Sequence, residues 1–256
     1  MKFYHSLPWL NNLCVILTCA VFNTTVVAQV DVELLLKSSA SDTLVVKQLS
    51  QAADEIKFDN PSDAKRLSNE AISISSRLNY SKGLIFNYKL LGHINYQLQE
   101  YDAAIQEFQK CLEHAKKVND SSSTTICYSN IGAIFYTPGV NNRALDYYLQ
   151  ALKYAEFSEK GVLYNNIGLI YFKEKKYDDA LAYYTKSLEI KEELDDEMGE
   201  GIAYNNIGDV YKEMEKYDVA TFYFKKSYAI SIKIDDKEGA VFSLNNFGEL
   251  EERKTN

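Results

Sequence analysis

Seven asparagines share a fixed frame: Asn130, Asn165, Asn166, Asn205, Asn206, Asn245 and Asn246 each stand two or three residues before a glycine. A carboxamide donates and accepts hydrogen bonds at once, so a row of them can pair with the main chain of an extended peptide. Asparagine is a mediocre helix former whose side chain competes with the backbone, so its recurrence inside helix-forming sequence needs a reason. The alternative is that it tolerates a solvated or inter-helix position. Variable residues flank the row: His93, Leu169, Asp209 and Glu249 one after the glycine, Tyr96, Phe172 and Lys212 four after, Lys173 and Glu213 five after. They would make the candidate surface aromatic toward its N-terminal end and more acidic toward its C-terminal end. A ligand with an apolar segment and some basic residues would suit it.

Other chemistry has little to build on. Of three histidines, His5 lies near the N-terminus, and His93 and His114 have no metal-ligand spacing with cysteine or carboxylate. No phosphate loop, nucleophile elbow or paired acid is present, so neither an enzymatic activity, a metal nor a cofactor is expected. Acidic runs such as Glu192-Glu193 and Asp195-Asp196 read as caps and solvated faces. The net charge of -8 argues against nucleic acid, whose phosphates demand a basic face. The partner expected is a protein or peptide.

The first residues read as a targeting segment. Lys2 precedes the apolar run Leu13 to Phe22, and Val26-Val27-Ala28 is small where a signal peptidase reads, so cleavage after Ala28 and export to the periplasm or the medium are expected. A lipid anchor at Cys19, preceded by Thr18, and an uncleaved anchor are the weaker options. No later stretch approaches the ~20 apolar residues of a membrane span. Residues 29–41 read as a linker. Cys111 and Cys127 are expected as two buried thiols, with a bridge as the alternative.

With 11 Gly and 3 Pro against 20 Tyr and 12 Phe, the chain reads as long helices packed through aromatics. Internal repetition sets their arrangement. Leu91-Gly92, Ile131-Gly132, Ile167-Gly168, Ile207-Gly208 and Phe247-Gly248 recur with glycines 40, 36, 40 and 40 apart. Twelve residues on stands alanine (Ala104, Ala144, Ala180, Ala220), sixteen on an aromatic (Phe108, Tyr148, Tyr184, Phe224), and nineteen on a small residue (Cys111, Ala151, Ser187, Ser227).

This pattern resembles the tetratricopeptide repeat family. The period is longer than the usual ~34 residues, and the proline that commonly ends the second helix is absent. Longer helices follow, similar to the extended repeats of kinesin light chains and of exported bacterial sensors and regulators. The resemblance implies an all-α, right-handed α-solenoid of antiparallel hairpins over 42–256: a degenerate repeat at about 42–80, four repeats at about 84–233 and an unpaired helix at about 238–253. In the degenerate repeat Leu49, Ala52 and Ile56 would face inward from the first helix, and Ala64, Leu67 and Ala71 from the second. It also implies that glycine on one helix faces alanine on its partner, and that the asparagines form a ladder in the concave groove. Such ladders are similar to those of kinesin light chains and of O-GlcNAc transferase, which bind peptides through the main chain. The 36-residue spacing, beside Thr137-Pro138-Gly139, implies an altered turn.

Two functions fit: an exported interaction scaffold, or a sensory or regulatory partner of a bacterial two-component or transcription-regulator system. The last helix repeats an apolar face through Phe242, Leu244, Phe247 and Leu250 and could associate with a second copy.

Overall fold

The computed structural model describes residues 42–255; the expected leader and linker lie outside the described residues. Eleven helices follow one another with no strand among the described residues: α1 (Asp42–Ile56), α2 (Pro61–Arg77), α3 (Ser81–Gln97), α4 (Tyr101–Lys117), α5 (Ser121–Tyr136), α6 (Asn141–Leu152), α7 (Phe157–Lys173), α8 (Tyr177–Glu193), α9 (Glu197–Glu213), α10 (Tyr217–Lys233) and α11 (Lys237–Thr255). Odd-numbered helices are the first of each hairpin, even-numbered the second. Each helix packs on its chain neighbours, and successive first helices also touch, α7 and α9 through the side chains of Asn165 and Asn206.

The turns explain where helices stop. Asn79, Gln99, Asn119, Lys175, Asp195, Glu215 and Asp235 adopt φ of 53 to 61°, and Gly139, at 82°, holds the equivalent place in the second full repeat. A left-handed residue there lets the next amide reach back: Asp120 N–H donates to Ala115 O at 2.9 Å, and Asp196 N–H to Lys191 O at 2.9 Å. The following helix is then capped from its side. Asp120, Asp196 and Asp236 accept from the backbone amides of Ser123, Gly199 and Gly239 at 2.9, 2.9 and 3.0 Å.

The core follows the repeat. Ala104, Ala144, Ala180 and Ala220 are fully buried, as are Phe108 and Phe224, with Tyr148 and Tyr184 nearly so. The glycines, however, face these aromatic rings rather than alanines. A Cβ on Gly92, Gly168 or Gly208 would lie 2.6 Å from a ring atom of Phe108, Tyr184 or Phe224, and on Gly132 2.9 Å from Tyr148. The glycine is therefore a slot for the ring sixteen residues on, because only a missing side chain lets a buried aromatic lie flat on a helix.

Two further expectations shift. In the degenerate repeat Ala53, not Ala52, is fully buried beside Leu49, a one-residue change of register in α1. The 36-residue spacing arises after the Thr137 turn: α6 starts where its counterparts start but has 12 residues where α4, α8 and α10 have 17. Cys111 and Cys127 are buried free thiols with sulfurs 2.8 Å apart, and their mutual hydrogen bond and burial push the Cys127 thiol far up.

Candidate functional site

The candidate site is the face of the first helices turned away from the glycine slots. Residues six, three and two before the glycine, and one and five after it, fall there by helical periodicity. The structure brings the asparagines together across helices. Asn206 Nδ2 of α9 donates to Asn165 Oδ1 of α7 at 2.7 Å, and Asn246 Nδ2 of α11 donates to Asn205 Oδ1 of α9 at 3.0 Å. The position two before one glycine thus clasps the position three before the preceding one.

These clasps divide the row. Asn205 and Asn246 are 6% and 7% exposed and serve mainly the inter-repeat joint. Asn130, Asn165, Asn166 and Asn206 are half-buried, and Asn245 is exposed. Asn206, which donates one hydrogen bond, retains a second N–H and its carbonyl oxygen, and Asn165, which accepts it, retains both N–H groups, so both keep capacity toward solvent. Asn166 has no hydrogen-bond partner among the described residues.

The variable positions separate by role. Lys212 is buried, its ammonium 2.9 Å from both Asp209 Oδ1 and Glu249 Oε2 and 3.4 Å from Asn246 Oδ1, so it ties α9 to α11. Burial works against its charge but is outweighed by the hydrogen bonds to Glu249 and Asp209, leaving its pKa raised. Burial pushes the Asp209 carboxyl up, while Lys212 holds Glu249 below the usual carboxylate range. Phe172 is half-buried against Tyr177, with ring centroids 6.2 Å apart. Lys173 is exposed and lies 4.9 Å from the ring of Tyr136.

At the N-terminal end a cavity of about 430 Å³ opens between α1 and α3, where His93 and Tyr96 meet Phe58, Phe86, Lys57 and Lys89. His93 is edge-on to Phe108 at 5.4 Å, and burial, with Lys89 and Lys57 nearby, lowers its pKa. A second cavity of about 500 Å³ lies between α9 and α11 over the end of α10, lined by Asn205, Asn206, Ile202 and Phe242. Phe86, Ile202 and Phe242 belong to a row that inspection of the asparagines missed. It was visible as an apolar residue six before each of the five repeat glycines. No group of three or more His, Cys, Asp or Glu is placed to hold a metal among the described residues. No helix among the described residues is long and apolar enough to cross a membrane.

The family model described as tetratricopeptide repeat matches residues 84–156 and 159–233. The chain belongs to the tetratricopeptide repeat family. Solved tetratricopeptide structures share its fold. BtubC (BKLC) from P. vanneervenii is 22% identical with a TM-score of 0.70, over 80% of this chain and 88% of that one. The apo form of RapI is 18% identical with a TM-score of 0.71, over 87% and 64%. The apo quorum sensor NprR from B. thuringiensis is 16% identical with a TM-score of 0.69, over 83% and 60%. The chain thus spans less than two thirds of RapI and NprR, and at these identities the likeness is one of fold. No curated protein sequence matches the chain.

Proposed function

We propose that this tetratricopeptide array is an exported scaffold that holds a peptide or protein segment in the groove of its first helices. The observation that carries the reading is the half-buried row of Asn130, Asn165, Asn166 and Asn206, with free donors and acceptors, running between two groove cavities. The test is a photo-crosslinking residue at Asn166, in the groove, or at Glu189, exposed on the second helix α8. Capture from position 166 and not from 189, with binding weakened by Asn166→Ala, supports the groove. Capture from both alike defeats it. Export is tested by sequencing the mature N-terminus, which should begin at Gln29.

A regulatory reading is favoured by the fold shared with the quorum sensor NprR and with RapI. In it the array passes the state of its ligand to a second protein. Deleting the gene and finding transcription unchanged across growth conditions would remove it.

Self-association belongs to the same proposal. Val241 and Leu244 are 56% and 50% exposed on α11, and no atom of the described residues lies within 4 Å of where a Cβ on Gly248 would stand. This open slot has the form that Phe224 fills in the preceding repeat, and a second copy is the occupant proposed.

A further inference from the structure

Phe86, Ile126, Val162, Ile202 and Phe242 stand six residues before the five glycines. Phe86, Val162, Ile202 and Phe242 are 39, 49, 52 and 53% exposed, and Ile126 is half-buried. Each lies one helical turn before the asparagine-bearing position, on the same face. Bulky apolar side chains in line across consecutive helices are more than the scattered exposure of an ordinary surface. Met198, 59% exposed, widens the stripe by a turn on α9, and Ile230 of α10 and Ile234 just after it line the cavity between α9 and α11.

Three relationships select what this stripe accepts. The clasps Asn206–Asn165 and Asn246–Asn205 take up part of the hydrogen-bonding capacity that an extended backbone would need in full, whereas a helix satisfies its own backbone and needs little of it. First helices that touch lie about 8–10 Å apart, and a bound helix advances about 10.5 Å in seven residues. Heptad-spaced apolar side chains come nearer to that separation than the ~6.8 Å at which an extended strand returns a side chain to one face. The third relationship is charge: the chain carries -8, and Asp236 and Glu238 line the same cavity as Ile202 and Phe242.

Resting on the groove reading, we infer that the stripe over α7, α9 and α11 binds an amphipathic α-helix, apolar at heptad spacing with lysine or arginine beside the seam. The helix lays its apolar edge along Val162, Ile202 and Phe242, and its cations meet the carboxylates at the rim.

The probe is a synthetic lysine-flanked peptide with leucines at heptad spacing, compared by fluorescence anisotropy with a scrambled peptide of the same composition and with a version broken by a central proline. The heptad peptide should bind at least about tenfold tighter than either, a difference of about 1.4 kcal/mol. Ile202→Asp and Phe242→Asp should each weaken it by about tenfold or more, with circular dichroism unchanged because both side chains are half exposed. Phe222→Asp, at an equally exposed site on the second helix α10, should not. If all three peptides bind alike and Ile202→Asp weakens all, the groove stands and the helix is overturned. If Ile202→Asp is silent, or the heptad peptide does not bind, the stripe is not a docking surface.

Discussion

The Asn206 carboxamide donates to Asn165 Oδ1 at 2.7 Å, so the row of asparagines joins α9 to α7 before it meets any ligand. Asn206→Ala removes that bond and strands a half-buried acceptor, which should cost about 1 kcal/mol in urea unfolding. Asn166→Ala breaks no described hydrogen bond and should stay within about 0.5 kcal/mol. Calorimetry on a groove ligand should show the reverse order of interest, with Asn166→Ala weakening binding. Equal losses of stability in the two variants would mean that Asn166 is also a structural clasp.

The glycine slots predict opposite outcomes at two positions in the same frame. Gly168→Val drives a branched side chain into Tyr184, which is 1% exposed and cannot retreat, and should destabilise by about 3 kcal/mol. Gly248→Ala meets no atom of the described residues within 4 Å and should stabilise α11 by roughly 0.5–1 kcal/mol through helix propensity. Denaturant midpoints decide both. A neutral Gly168→Val would remove the slot from the account of the fold.

Asp196 caps α9 by accepting from Gly199 N–H at 2.9 Å and pairs with Lys191 at 2.6 Å. The hydrogen bond to Lys191, then that to Gly199, lowers its pKa. A depressed carboxylate contributes stability above its unfolded pKa of about 3.9 and loses it as pH falls through the lower folded value. Asp196→Ala should therefore cost about 1 kcal/mol at neutral pH, and the gap from the parent should close in acid. A gap independent of pH down to strongly acid solution would show that the charge plays no part.

Association through α11 is read by light scattering on the parent and on Leu244→Glu. The parent should show a concentration-dependent rise in mass, and the variant should not. Phe247→Glu is the poorer probe, because Phe247 packs on Phe224 with ring centroids 6.2 Å apart and its loss unseats the helix. A parent that stays monomeric across micromolar concentrations excludes the second copy.

Position on a helix was legible because sequence spacing alone sets it. His93 and Tyr96 line the N-terminal cavity, while Asp209 and Glu249, read as an acidic end, are both paired with Lys212. Lys212 was not legible as a buried tie. Its partners lie 3 residues away on its own helix and 37 away on α11, and the second distance depends on how the hairpins stack. The stripe of Phe86 through Phe242 was equally periodic, yet apolar residues at helical spacing read as core until their exposure is known.

The sequence by itself determined the helices, their ends, the repeat and, outside α1 where Ala53 replaces Ala52 in the core, the face each residue takes. Helical period, caps at Asp120, Asp196 and Asp236, and small residues at Ala104, Ala144, Ala180 and Ala220 are all local or strictly periodic signals. Only the tertiary structure decided what those faces touch. Period fixes the direction of a side chain but not the separation or stagger of two helices. Those two quantities set Tyr184 into the Gly168 slot, close Asn206 on Asn165, and leave Ile202 open to a partner.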